Sequence, residues 1–370
     1  MKSVFIEPVD VLVLRGNKLF GDPGSYGESF VPPWPSAAAG AIRSAVLARD
    51  GDPSAFAKGQ WRHPALGTPS EPGPFTVTAF HLARRRSDQV EPLFEPPADL
   101  VIEHDGDMPA TRRVRPTLPS GGLASSNPLP ALPILPQQQR TKPAAGWWLT
   151  AAGWHCYLRG EPVTTCDLVA TEMLWRYDLR VGVGLSPTTR HVEGGKLFAV
   201  NAVACKAGVG FVAGVAGAKL PDNGMLRFGG DGRSARIQVV EVDWPQPDFE
   251  AIARAHRARL VLTTPGLFGQ GWLPTGVSAA AHRFDLHGVR ARLIGAAVPR
   301  AQVVSGFDLA AWRPKPALRA APTGSVYWLE ELEGTPEALR KLVETGLWPE
   351  ALQDDARRAE GFNRMTLAAC

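Results

Sequence analysis

Two stretches of this 370-residue chain carry residue types that hold an anion. In the first, Arg15, Lys18 and Arg43 supply positive charge around Ser36 and Gly40, which fall in the opening turns of an expected helix. The first turn of a helix has backbone N–H groups without intrahelical partners and the positive end of the helix dipole, so it suits a phosphate. In the second, Tyr177 to Val203, Arg180 and Arg190 accompany Gly182, Gly184, Thr188, Thr189 and His191. Glycine there permits close approach of backbone to ligand, and the hydroxyls can donate to phosphate oxygens. Acid–base chemistry would need a proton donor and an acceptor flanking one bond. His191 is the one histidine in this loop; His63, His81, His104 and His155 are scattered, and His282 and His287 lie far along the chain.

Weaker signals surround these two. GGDGRSAR, which contains Arg233, has a phosphate-loop look but lacks the Gly-Lys-Ser/Thr ending and leads into an expected strand, so it reads better as a hairpin turn. Pro314, Lys315, Pro316 and Arg319 form a stiff basic segment, open to a nucleic-acid or a protein contact. Cys156, Cys166, Cys205 and Cys370 form no Cys-x-x-Cys pair and have no histidine at zinc spacing, so neither a disulfide framework nor a metal site is expected, and a reducing cytoplasm fits.

The elements that position these groups follow from local pattern. Val4 to Leu14 is rich in β-branched and aliphatic residues and predicts a strand ending at Arg15-Gly16-Asn17. After a Gly-rich loop, PPWPSAAAGAIRSAVLARD predicts a helix with Ser36 as its N-cap and a stop at Asp50-Gly51. Ala37, Gly40, Ala41 and Ser44 fall on one side of it, and this small stripe predicts close packing, while the first turn stays available for a phosphate. Further strands are expected at Pro74 to Leu82, Asp99 to His104, Val209 to Val215, Arg233 to Val242, Leu260 to Thr264, Val289 to Val298 and Ser325 to Leu329. Helices are expected at Ala151 to Arg159, from about Asp167 to Tyr177, at Asp248 to Arg259 and at Pro336 to Thr345. Arg84-Arg85-Arg86 reads as a hairpin charge run, and Trp147-Trp148 as core anchors. From Arg112 to Ala145 the chain is Pro-rich and aperiodic, an insertion or linker.

Composition bounds the rest. Hydrophobic residues make up 44%, enough for two domains with sizeable cores, while 38 glycines and 34 prolines imply many irregular connections. A net charge of only +4 means that any binding of a polyanion must rest on local clustering. No long apolar run suggests a signal peptide or a membrane span. The expected fold is α+β with two ferredoxin-like (RRM-like) domains, 1–165 with an insertion at about 112–145, and 166–370.

The motifs IEPVDVLVLRGNKLF, PPWPSAAAGAIRSAV, RVGVGLSPTTRHVEGGKLF, RFGGDGRSARI, LVLTTPGLFGQGWLP, VSGFDLAAWRPKPALRAAPTGSVYWLE and the terminal EGFN occur in that order. In this order they resemble the third-subunit family of the Cmr complex, the type III-B CRISPR RNA-targeting effector, within the RAMP superfamily. The resemblance spans nearly the whole chain and implies two ferredoxin-like domains, no cofactor and no catalytic role. It further implies binding of the repeat-derived 5′ tag of the CRISPR RNA and docking to two partners, the large polymerase-domain (Cas10-type) subunit and the first backbone RAMP subunit. RNA contact is then expected at both anion sites and at Arg233, Lys315, Gly361 and Asn363. RAMP proteins close with a glycine-rich loop, of which Gly361-Phe362-Asn363-Arg364 keeps one glycine; Asn can supply the left-handed backbone that such a turn needs. The alternative implied by RAMP relatives is a metal-independent endoribonuclease acting on precursor RNA, with His191 as general acid or base beside Thr188 or Thr189.

Overall fold

The structure is a computed structural model that describes residues 1–14, 16, 26–27, 29–105, 108–120, 125–137, 142–350 and 355–370. It is α+β with mostly antiparallel sheets and divides into two compact units that interleave in sequence. Unit 1 comprises Met1–Val90, Thr171–Val242 and Val303–Ala317, and unit 2 comprises Glu91–Ala170, Asp243–Gln302 and Leu318–Cys370. A single boundary near 165 does not describe this arrangement, because the first strand finds its neighbours more than 200 residues later.

In unit 1 the elements are β1 (Lys2–Pro8), α1 (Pro35–Asp50), β2 (Thr76–Arg86), β3 (Gln89–Leu93), β4 (Trp175–Leu185), β5 (Val192–Cys205), β6 (Val209–Ala216), β7 (Asn223–Arg227) and β8 (Ser234–Val240). The main sheet has the order β7-β8-β1-β6-β2-β3. β1 lies between β8 and β6 and is antiparallel to both, with Phe5 opposite Val212 and Gln238. The β2–β3 hairpin carries Arg84-Arg85-Arg86 at its end, and Arg85 lies 5.1 Å above the Phe5 ring.

α1 forms because Pro33 and Pro35 set an extended entry, alanines dominate its body and Gly51 receives the chain at its end. Ala38, Ala39, Ala41, Ile42, Val46 and Leu47 are buried, and the helix packs on β2 and β7. Complete burial of Ile42 and Val46 contributes roughly 1.5–3 kcal/mol each. The expectation for the small stripe is corrected here. Gly40 and Ser44 are exposed and, among the described residues, nothing lies within 4 Å of a Cβ built at Gly40, because the larger aliphatic side chains claim the sheet-facing side.

Unit 2 contains α2 (Ala151–Leu158), α3 (Phe249–Ala255), β9 (Ala258–Leu262), β10 (Arg283–Leu286), β11 (Val289–Ala297), β12 (Val326–Glu333), α4 (Pro336–Thr345) and β13 (Met365–Ala368). Its sheet has the order β10-β11-β12-β9-β13. Leu260, Leu262, Phe284, Leu293, Leu329, Leu339 and Leu342 meet in its core. Thr335 and Asp248 cap α4 and α3 by accepting hydrogen bonds from the backbone N–H groups of Ala338 (3.2 Å) and Ala251 (2.8 Å). A second cluster stacks Phe94 on Trp154 at 4.6 Å and Trp154 on Tyr157 at 5.3 Å; Trp147 packs against this cluster and Trp148 is buried, so both tryptophans anchor the core as expected.

The helix expected from about Asp167 to Tyr177 is not there. Leu168–Ala170 is a short strand, Thr171–Met173 a single 3-10 turn, and β4 begins at Trp175. The alternation of apolar residues from Tyr177 onward, with β5 available as a partner, outweighs the helical propensity of the preceding Ala-Thr-Glu-Met-Leu.

Candidate nucleic-acid interface

β4 and β5 are 11 and 14 residues long and pair antiparallel from Trp175 opposite Cys205 to Leu185 opposite Val192. Their long pairing makes the Tyr177 to Val203 stretch a β-hairpin, with Ser186 to His191 as its turn. The Arg190 N–H donates to the Ser186 carbonyl (2.9 Å), the Ser186 N–H to the His191 carbonyl (2.9 Å), and the Thr189 N–H to Ser186 Oγ (3.3 Å). Arg190 takes left-handed backbone at φ +60°. Thr188, Thr189, Arg190 and His191 are all exposed.

The two faces of β4 differ. On one, Arg180 is held by Asp178 at 3.0 Å, with Arg176 exposed beside them. Gly182 lies on this face too. A Cβ at Gly182 would come within 2.3 Å of the Phe198 ring on β5, so this glycine makes room for an aromatic side chain of its own hairpin. Gly184 falls where the register shifts between Val183 and Leu185, and a glycine suits such a bulge. On the opposite face, Tyr177, Leu179, Val181, Val183 and Leu185 point to solvent, with exposures between 42% and 67%. Leu197 and Val192 of β5 extend this apolar stripe. Sequence reasoning missed it as a surface, although the strict alternation was legible, because alternation predicts which side chains share a face and not whether that face is covered.

The first expected site adjoins the same hairpin. Tyr26–Gly27 pairs in parallel with Ala199 and Val200 of β5, Ser29 Oγ donates to the Asn201 carbonyl, and the Leu12 and Val203 backbones exchange hydrogen bonds of 2.9 and 2.8 Å. The end of the first strand region and the entry to α1 are thereby fastened to the base of the hairpin. α1 begins at Pro35 with Trp34 as the N-cap residue and no side-chain cap, so Ser36 lies inside the first turn and is not the cap. Proline at the first helical position has no N–H to satisfy, which removes part of the need for one. Ser36 and Arg43 are half-buried and Gly40 is exposed. Arg15 and Lys18 lie outside the described residues.

Of the four other expected contact residues, three are engaged or buried within the fold. Arg233 sits in the β7–β8 turn, where it pairs with Asp10 at 3.0 Å and Asp231 at 3.4 Å; GGDGRSAR is a hairpin turn running into β8, as its sequence indicates. Gly361 and Asn363, expected to contact RNA, are buried in unit 2. Asn363 at φ +60° supplies the left-handed turn, its Oδ1 accepts from the Leu267 N–H at 2.5 Å, and its Nδ2 donates to the Leu267 and Leu347 carbonyls. Arg364 beside it is buried as well, and desolvation, with Arg358 nearby, lowers its pKa to about 10. Lys315 is half-buried at the base of a short hairpin of unit 1, with its backbone bonded to Gly306 and Ser305.

A family model described as CRISPR-associated protein (Cas_Cmr3) matches residues 4–368. The chain belongs to that family. Cas_Cmr3 membership makes it a subunit of the type III-B CRISPR effector, in agreement with the motif order read from the sequence. Two solved chains share its fold. One, from a cryo-EM structure of the type III-B Cmr-beta bound to cognate target RNA, has a TM-score of 0.52 and 15% identity, covering 98% of this chain and 96% of that one. The other, from a Cmr-beta structure that also holds AMPPnP, has a TM-score of 0.50 and 13% identity, covering 99% of this chain and 98% of that one. No curated protein matches. Among the described residues no helix is long and apolar enough to cross a membrane, and no group of three or more His, Cys, Asp and Glu side chains is arranged to hold a metal.

Proposed function

We propose that this Cas_Cmr3 chain is a non-catalytic subunit that binds the 5′ tag of the CRISPR RNA and docks the large polymerase-domain subunit onto the RAMP backbone. The observation that carries this reading is the β4–β5 hairpin. It presents a polar turn, a basic face and an open apolar face on one element, fastened at its base to the entry of α1. Phosphates suit the exposed side chains of Arg180, Arg190, Thr188 and Thr189, and the apolar stripe suits a surface that is covered only on assembly. The two structural relatives come from an assembly bound to target RNA, which supports the same reading. Both main sheets are also consistent with ferredoxin-like units. In unit 1, β1, β2, β6 and β8 stand in the spatial order 4-1-3-2 with α1 after the first, and in unit 2, β9, β11, β12 and β13 stand in the same order with α4 between the third and fourth.

The test is retention of a labelled RNA carrying the repeat-derived tag by the full chain, with and without the large subunit, against a scrambled tag and across a salt series. Tag-selective retention of intact RNA that weakens steeply with salt is expected. Arg43→Ala and Arg190→Ala should each weaken retention while leaving the protein folded. Equal retention of both RNAs would overturn tag recognition, and metal-independent scission would instead make His191 the first residue to substitute.

A further inference from the structure

Residues 303–317 of unit 1 form a small hairpin in which Phe307 pairs with Pro314 and Asp308 with Arg313. Three features distinguish its tip. Trp312 is 76% exposed, which is extreme for the side chain with the most apolar surface to hide. It also adopts left-handed backbone at φ +51°, a conformation that bulky L residues rarely take and that glycine would take without strain. Finally, the tip is tied together by hydrogen bonds and a ring contact. Asp308 Oδ1 accepts from the N–H groups of Ala310 and Ala311 at 3.0 Å each, the Ser305 hydroxyl donates to the Lys315 carbonyl at 3.1 Å, and the Phe307 ring abuts Trp312 edge-on, with centroids 5.5 Å apart and planes at 89°.

A sequence selected for stability alone has no reason to hold a tryptophan in a strained, exposed position on a pinned hairpin, so the arrangement points to a ligand that covers the indole. Charge decides the class of that ligand. Asp308, the single acid in 303–317, is turned into the hairpin by its two backbone bonds, whereas Arg313 is exposed directly after Trp312 and Lys315 follows two residues later. An open aromatic face next to cations, beside the small side chains of Ala310 and Ala311, matches an unstacked base with its adjoining phosphate. We propose that Trp312 is a stacking platform for one base of single-stranded RNA, with Phe307 fixing the orientation of the indole and Arg313 contacting the neighbouring phosphate. This rests on the RNA-binding reading above and adds a second point of contact on a different hairpin.

The test uses the full chain and the tagged RNA, with retention and entry into the assembled complex scored separately. Trp312→Ala is expected to weaken retention about tenfold to a hundredfold, and Trp312→Phe to restore most of it, since stacking needs an aromatic face and not the indole itself. Arg313→Ala should weaken retention and lower the salt slope by about one. Ultraviolet crosslinking is expected to join Trp312 to one nucleotide. If wild type retains tagged RNA and Trp312→Ala and Arg313→Ala retain it equally well, the platform is wrong and the RNA-binding reading stands. Normal RNA retention with lost complex entry would overturn the platform in favour of a protein contact. Wild type that retains no RNA overturns both.

Discussion

The turn at 186–191, Ser-Pro-Thr-Thr-Arg-His, and the turn at 361–364, Gly-Phe-Asn-Arg, each place an arginine directly after a small polar residue and each contain a left-handed residue, yet the protein uses them in opposite ways. In the β4–β5 turn the polar groups stay in water: Thr188, Thr189, Arg190 and His191 are exposed, and the turn's hydrogen bonds are local. In unit 2, Gly361, Asn363 and Arg364 are buried, and Asn363 and Arg364 bond to segments near 264–267 and 344–347. The same unit buries Arg259, whose guanidinium meets Asp99 at 2.7 Å, the Tyr157 carbonyl at 2.9 Å and the Ala369 carbonyl at 2.8 Å, over the Tyr157 ring. An arginine of this kind is a fastener, and its charge is spent inside the fold. Residue type alone therefore does not separate a binding loop from a structural one; what separates them is whether the polar groups find partners within the chain.

Breaking the buried side should cost the most. Asp99→Ala would leave the Arg259 guanidinium buried without its counter-charge, and denaturant unfolding should show a loss of about 3–5 kcal/mol. A loss below about 1 kcal/mol would mean that Arg259 relaxes into water. His81 extends the contrast to unit 1, where it is buried on β2 and desolvation lowers its pKa to about 4. Because the unfolded chain binds this proton near pH 6.5 and the folded chain does not, the stability it governs is complete above that pH and is lost as pH falls toward 4, roughly 3 kcal/mol in all. His81→Gln should flatten that part of the stability–pH curve, and an unchanged slope would assign it to other groups. Asn363→Ala removes the partner of the buried Leu267 N–H and places alanine in left-handed backbone, with an expected cost of about 2–3 kcal/mol and no change in RNA retention by the folded fraction. A retention defect in folded Asn363→Ala would return this corner to the RNA-binding surface. The smallest effect on stability should come from Arg180→Ala, whose ion pair with Asp178 is exposed. Its unfolding midpoint should match wild type, while RNA retention falls a few-fold with a salt slope lower by about one. If the midpoint moves and the salt slope does not, Arg180 belongs with the fasteners.

Much of the outcome was written in local sequence. Alanines behind a proline entry specify α1, glycines and a strand-like flank make GGDGRSAR a turn, alternation from Tyr177 specifies β4, and Asn363 replaces a glycine where left-handed backbone is required, since each of these depends on a few neighbouring residues. The order of motifs along the chain was enough to indicate the family. Only the tertiary structure decided which groups are left for a partner. The side of α1 that faces water, the use of Gly182 to seat Phe198, the burial of Asn363 and Arg259, the open apolar face of β4 and the strained display of Trp312 all depend on residues distant in sequence. Exposure is a property of what else packs nearby, and hydrogen bonds closed across a hundred residues leave no periodic trace in the segment that receives them.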